Sequence, residues 1–275
     1  MLLSVKTRTE GHWLLILYII KRMSSKLSTF ELFGIPLQAH DKASLLSLIN
    51  SRIQRHQRTL ILSGNVHAFN LAYEQPWLHD LFNQADLIRV DGAGVRLGAR
   101  LLGRMLPPRM TWADFMWDLA AVSEINQYRI FFLGGRPGVA AVAAETLQQK
   151  HPYLQIIDCQ HGYFNKMRQH PENETVLREI ANGRPDILIV GMGMPLQEQW
   201  ISDNWEQLNA TVIMTAGAVY DYISGRLQRP APIFTLTGFE WLGRLLLEPR
   251  RLWRRYLIGI PLFFWRILKQ RLNRL

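Results

Sequence analysis

The 275-residue chain predicts an α/β protein: a mainly parallel sheet with helices on both faces, followed by a basic helical appendage. Three observations carry this reading. Short, near-continuously apolar runs recur, and each is followed by a stretch with helical spacing. Strands covered on both faces read this way, whereas strands with one wet face alternate. Several runs end in glycine. The cationic charge is gathered at the C-terminal end, where Arg244–Leu275 holds nine basic residues and one acid, Glu248.

The elements follow in order. Residues 1–28 form an N-terminal extension whose apolar run, Trp13–Ile20, is too short to span about 30 Å of hydrocarbon as a helix. Lys6 and Arg8 precede that run as in a signal peptide, but Lys21, Arg22 and Met23 follow it instead of a small-residue cleavage site. The extension is an interfacial anchor, or it lies upstream of the true start at Met23. Residues 29–230 are assigned to the α/β body. There Leu60–Ser63 leads into a segment starting near Val66, and Leu87–Val90 runs into Asp91-Gly92 with a helical pattern to Leu102. Arg129–Leu133 ends in Gly134-Gly135-Arg136-Pro137-Gly138 before an alanine-rich helix to Lys150. Leu154–Asp158, Asp186–Val190 and Thr211–Thr215 are the remaining strands, the last two ending in Gly191-Met-Gly-Met-Pro195 and Ala216-Gly217. This succession is Rossmann-like. Such sheets bind ligands outside the carboxyl ends of their strands. That rule gathers Ser63–Asn65, Asp91–Gly94, Gly134–Gly138, Gly191–Gln197 and Ala216–Gly217 into one candidate site.

Residues 231–275 form the appendage, beyond Arg229-Pro230-Ala231-Pro232. Its arginines are interleaved with Trp241, Leu245, Trp253, Leu257, Phe263, Trp265 and Leu268. That mixture predicts helices lying on an anionic membrane surface. A helix pair docked on the core with its arginines in water has the same composition. The chain carries +10 overall, so polyanions are the expected partners. Nucleic acid is excluded, because the cations sit among Leu, Ile and Trp and not on a polar groove-reading helix. A single cysteine, Cys159, excludes a disulfide framework and a Cys-rich zinc site. No Gly-x-Gly-x-x-Gly follows the first strand, which excludes a nicotinamide dehydrogenase. P-loop, His-Glu-x-x-His and Gly-x-Ser-x-Gly signatures are missing, and no Asp-x-Asp pair is present to hold a divalent ion on a diphosphate. Cationic side chains or helix N-termini would take over that charge.

Four features could carry chemistry. The Gly134-Gly135 turn offers amides to a phosphate, or is only a tight turn. Gln197 and Glu198 fall in the first turn of a helix started by Pro195. The amide could read a base or a sugar hydroxyl, and Glu198 could simply face the helix dipole. Asp91 stands at the tip of a buried strand before Gly92-Ala-Gly94, as a general base or as an N-cap. His67 is a second possible base or an ordinary helix histidine.

In this order the motifs resemble a known family. They are Ser63-Gly-Asn65, Asp91-Gly-Ala-Gly94, Arg109-Met-Thr111, Phe132-Leu-Gly-Gly135, His161-Gly-Tyr-Phe164, Gly191-Met-Gly-Met-Pro195-Leu-Gln197-Glu198, Ala216-Gly-Ala-Val-Tyr-Asp221, Glu240-Trp-Leu242 and Glu248-Pro-Arg-Arg251. The set is similar to the WecG/TagA/CpsF glycosyltransferases over about residues 30–258. The resemblance implies an inverting glycosyltransferase that moves a sugar from a UDP-sugar to a polyprenyl-diphosphate-linked saccharide. It implies that Asp91 is the catalytic base and that Ser63, Asn65, Arg109, Gly134, Gly135 and Gln197 shape the substrate pocket. Arg244, Arg251 and Arg254 match family arginines thought to fold over the pocket onto a diphosphate. Ser63 replaces the family's threonine, and Trp112 stands where the family has a small residue. The resemblance further implies no metal or other cofactor, a peripheral place on the cytoplasmic face of the inner membrane, and possible self-association. Exopolysaccharide-type glucosyl transfer is the donor expectation. A non-catalytic membrane-peripheral assembly protein is the alternative.

Overall fold

The computed structural model describes residues 29–231, 233–234 and 239–273, so the expectations about residues 1–28 lie outside it. It opens with a feature the strand reading missed. β1 (Thr29–Leu32) and β2 (Ile35–Gln38) form an antiparallel hairpin with Phe30, Leu32, Ile35 and Leu37 turned into the core. Its two-residue turn, Phe33-Gly34, has φ of 56° and 77°. A turn with both central residues left-handed matches the twist of the strands it joins.

The main sheet uses the six expected runs: β3 (Thr59–Gly64), β4 (Leu87–Val90), β5 (Arg129–Gly134), β6 (Gln155–Gln160), β7 (Ile187–Gly191) and β8 (Val212–Thr215). Their spatial order is β4-β3-β8-β7-β5-β6, and every pairing is parallel. Alternate residues of each inner strand feed two cores. Leu60, Leu62, Phe131, Leu133, Leu188, Val190 and Ile213 face one side. Ile61, Ile130, Phe132, Ile187, Ile189, Val212 and Met214 face the other. Both faces are dry, which is why the strands read as unbroken apolar runs. Each such side chain contributes about 1.5–3 kcal/mol of burial.

On the first face lie α2 (Val66–Glu74), α3 (Pro76–Gln84), α4 (Ala93–Leu101), α7 (Pro171–Gly183) and α8 (Leu196–Asn204), together with the hairpin. On the second lie α1 (Lys42–Gln54), α5 (Trp112–Asn126), α6 (Val139–Lys150) and α9 (Val219–Ile223). The chain leaves β5 through α6 toward the β6 edge, and leaves β7 through α8 in the opposite direction, toward β8. The carboxyl ends of β5 and β7 therefore open a crevice at a topological switch point.

The appendage continues as α10 (Glu240–Leu247), α11 (Pro249–Trp253), a π-helical segment (Arg254–Ile258) and α12 (Gly259–Leu272). The last helix buries Phe263 and Ile267 against the first face. Gly98 of α4 makes the approach possible, since a Cβ there would stand 2.8 Å from the Phe263 ring. Polar ties fix the register. Asn70 Nδ2 donates to the Gly259 carbonyl at 2.7 Å, and Arg266 donates to Glu74 Oε1 at 2.6 Å. Gln270 accepts from Phe33 N–H and donates to the Glu31 carbonyl. The opposite side of the appendage exposes Leu257, Ile258, Trp265, Leu268 and Leu272, with Lys269 and Arg271 among them. Core docking and an apolar, cationic outer face are thus two sides of one segment. Among the described residues no helix is long and apolar enough to cross a membrane.

Candidate active site

Two cavities open along the carboxyl edge of the sheet. The first, about 570 Å³, lies between the tips of β3 and β4, helix α4 and the appendage. Asp91 stands in its wall, directly after β4, with its side chain 27 % exposed. Its backbone N–H donates to the Gly64 carbonyl at 2.8 Å. The cap of α4 is Gly92, at φ 96° and without a side-chain hydrogen bond, so the Asp91 carboxylate is not an N-cap. Behind it Arg89 is buried, with Nη2 3.6 Å from Asp91 Oδ2. Arg89 also donates to the Met110 carbonyl and to Ser63 Oγ, and lies over the Trp112 ring. Burial lowers its pKa, and the Asp91 charge opposes that shift.

The appendage closes this cavity from the other side. Glu240 forms an ion pair with Arg109, tying α10 to the loop before α5. Arg244 and Arg255 also line this cavity, as do Arg96 and Arg100 of α4. Five arginines thus confront two carboxylates, and Glu240 is already engaged. The Nε atoms of Arg96, Arg244 and Arg255 are buried without a hydrogen-bond partner among the described residues. Such orphans are uncommon in native proteins and mark sites that a ligand or water completes. Burial also holds the Arg255 pKa down. His67 lies near this wall but lines neither cavity. Burial, then the Arg255 charge, push its pKa down to about 4, so it is neutral at pH 7.

The second cavity, about 820 Å³, sits at the switch-point crevice between β5 and β7. Its charges are nearly balanced and mostly paired. Arg251 makes two 2.7 Å contacts to Glu248, and Arg226 pairs with Asp221. Lys166 donates to the Gly162 and Phe164 carbonyls. The Tyr163 ring lies open at the rim, 66 % exposed.

The single expected site is therefore divided. Asn65, Asp91, Arg109 and Arg244 share the first cavity, while Gly135 and Arg251 line the second. Asn65 also caps α2, accepting from the His67 and Ala68 amides. Three expected pocket residues, Ser63, Gly134 and Gln197, line neither cavity. Ser63 is buried; its hydroxyl donates to the Thr215 carbonyl at 2.6 Å and accepts from Arg89 and Trp112. Gln197 is buried too, with Oε1 accepting from the Gly193 and Gly217 amides. Gly134 serves close packing, since a Cβ there would fall 2.2 Å from the Gly191 carbonyl oxygen, and its φ is +140°. The Gly135 N–H is spent on that same carbonyl, so it does not reach for a phosphate. Arg254 turns outward beside Trp253, and its neighbour Arg255 faces the cavity in its place.

Sequence reading missed Arg89, Arg96, Arg100, Glu240 and Arg255. Arg89 had a signal, a lone charge inside the apolar strand Leu-Ile-Arg-Val. Arg96 and Arg100 are spaced i, i+4, and so share one face of the helix that follows Asp91. Glu198 lies in the first turn of α8 as expected, and it is fully buried there. Burial pushes its carboxyl up to about 7, although Gln197 Nε2 donates to Oε1 at 2.7 Å. Among the described residues no three His, Cys, Asp or Glu side chains converge as metal ligands would.

The profile of the Glycosyl transferase WecG/TagA/CpsF family matches residues 30–275, the body and the appendage together. The chain belongs to this family. Similar relatives include an N-acetylglucosaminyldiphosphoundecaprenol N-acetyl-beta-D-mannosaminyltransferase of Staphylococcus aureus strain NCTC 8325 / PS 47, 32% identical over 216 residues, 78% of this chain and 82% of the relative. The protein of the same description from strain COL matches equally, and that of strain MRSA252 is 31% identical over the same share. Within this WecG/TagA/CpsF glycosyltransferase Trp112 Nε1 donates to Ser63 Oγ at 2.9 Å, which ties the start of α5 to β3.

Proposed function

We propose that the protein transfers a hexose or N-acetylhexosamine from a UDP-sugar to a polyprenyl-diphosphate-linked saccharide, with inversion, at a membrane surface where a cell-surface polysaccharide is built. The activity named for the S. aureus relatives favours N-acetylmannosamine over the glucose expected from sequence. One observation carries the reading: Asp91 and Arg244, more than 150 positions apart, line one cavity that the appendage closes.

The step is a direct displacement. The acceptor hydroxyl attacks the anomeric carbon and its proton passes to Asp91, whose charge buried Arg89 supports from behind. The bond from that carbon to the diphosphate oxygen breaks, and UDP leaves with the electron pair. Arg244 is placed to meet the developing negative charge, since it feels both Asp91 in the first cavity and Glu248 in the second. The switch-point cavity suits the donor nucleoside, with the exposed Tyr163 ring as a stacking surface. No metal or other cofactor is needed where guanidinium groups balance the phosphates. The outer face of the appendage suits reversible attachment to the cytoplasmic leaflet, at about 1 kcal/mol for each basic group near an anionic surface.

The test is UDP release over a panel of UDP-sugars with a polyprenyl-diphosphate saccharide, with and without chelator. Release that needs the acceptor and survives chelation supports the proposal. Acceptor binding without UDP release from any donor means a non-catalytic assembly protein.

A further inference from the structure

The two cavities differ in charge, and the reaction presents two diphosphates. One leaves with the nucleoside; the other joins the acceptor saccharide to its lipid and takes no part in bond breaking. We propose that the second diphosphate has its own subsite, made by Arg96 of α4 and Arg255 of the π-helical segment, separate from the group that receives the leaving phosphate. The inference rests on the functional reading above and goes beyond it in dividing the arginines between the substrates.

The two cavities offer unequal free positive charge. In the switch-point cavity Arg251 and Arg226 already hold carboxylates, Glu248 and Asp221. In the Asp91 cavity Arg109 holds Glu240, so that among the described residues lining it Asp91 is the one carboxylate left to face Arg96, Arg100, Arg244 and Arg255, with Glu248 of the neighbouring cavity felt by Arg244. Arg100 is exposed, whereas Arg96, Arg244 and Arg255 are half-buried, and gathering half-buried guanidinium groups with little counter-charge carries a cost that an anion relieves. Arg96 and Arg255 each bury an unpartnered Nε on this wall. They come from elements far apart in the chain, as the two jaws of a clamp would. A disubstituted diphosphate carries two negative charges and accepts forked donors, so its chemistry fits. The rim agrees with a lipid continuing beyond it. Leu97, Trp241, Ile260 and Phe264 line the same cavity, and Leu101 lies exposed next to them on α4. An anionic head followed by a hydrocarbon chain has somewhere to put both parts.

A phospholipid headgroup shares the phosphate chemistry, so the experiment separates the two sources. Binding of a short-chain alkyl-diphosphate N-acetylglucosamine is measured without donor, and UDP binding without acceptor, for wild type, Arg96→Gln, Arg255→Gln and Arg255→Lys. The monophosphate analogue and sedimentation with phosphatidylglycerol vesicles complete the set. The Gln variants should lose about tenfold or more in affinity for the diphosphate compound, as expected when a charge-assisted hydrogen bond is removed. They should also lose the preference for diphosphate over monophosphate, while UDP affinity stays within about twofold. Arg255→Lys should keep part of the affinity but little of that preference, because a point charge replaces a fork. Unchanged binding of the diphosphate compound overturns the proposal. So does a UDP affinity that falls equally, or a defect confined to vesicles. Every readout is binding, so the division stands or falls even if wild type transfers no sugar, an outcome that would count against the functional reading alone.

Discussion

The two cavities on the carboxyl edge of the sheet are built on opposite electrostatic plans. The switch-point cavity balances its charges internally, with Arg251 on Glu248 and Arg226 on Asp221. The Asp91 cavity leaves arginines unbalanced and three of their Nε atoms unpartnered. The switch-point crevice belongs to the fold, since any parallel sheet with this strand order opens one there, and the appendage adds only Glu248 and Arg251 to its lining. The Asp91 cavity takes nearly half of its lining from the appendage. The more of a wall is borrowed from a distant segment, the more its chemistry depends on docking. Substitutions at the two places should therefore fail differently.

The largest effect is expected at the carboxylate. Asp91→Asn should lower kcat by about 10²–10⁴-fold, the usual worth of a general base, with UDP affinity nearly unchanged. Near-normal turnover would remove Asp91 from the mechanism. Ending the chain before residue 238 should abolish transfer to a lipid acceptor and release the protein from anionic vesicles, and should weaken UDP binding less than transfer, since the switch-point cavity loses only Glu248 and Arg251 from its lining. Full activity of the shortened chain would show the borrowed wall to be dispensable. Next comes the adjacent pair in the π-helical segment. Arg255→Ala should raise the acceptor KM about tenfold or more, and Arg254→Ala far less, since only the former faces the cavity. Equal losses would mean that the segment turns over when substrate binds.

The smallest effect concerns stability behind the switch-point cavity. Glu198 is buried, and its carboxyl titrates at about 7 in place of 4.5. Between those values the native chain holds more protons than the unfolded one, so stability falls as pH rises through that window. Glu198→Gln should leave Tm nearly unchanged at pH 4.5 and raise it at pH 8, by roughly 2–4 °C for each kcal/mol recovered. An equal shift at both pH values would mean that Glu198 is not held protonated by its surroundings.

Much of the fold was legible because burial on two faces leaves a plain trace. Each of the six sheet strands overlaps an apolar run read from sequence, within one or two residues at the ends. The hairpin at Thr29–Gln38 was not found, because two four-residue strands are too short for their alternation to stand out. The site was legible in parts. Asp91 was found by its place at a strand tip before glycines. Ser63 and Gln197 were placed in the pocket on the strength of motif position, but their polar atoms are consumed by neighbouring backbone and side chains. Whether a polar side chain faces a ligand or a carbonyl is set by partners hundreds of atoms away, and local pattern does not carry that information.

By itself the sequence determined the parallel sheet, the carboxylate at the end of β4 and a cationic, apolar C-terminal segment, since periodicity, glycine placement and charge density are all local. Tertiary structure alone decided that the carboxyl edge holds two cavities, that Arg255 and not Arg254 turns inward, and that Arg96 lines the same cavity as Arg255. Those outcomes depend on where a docked segment comes to rest. That is fixed by Phe263 against Gly98 and Glu240 against Arg109, contacts between residues with no neighbourhood in the chain.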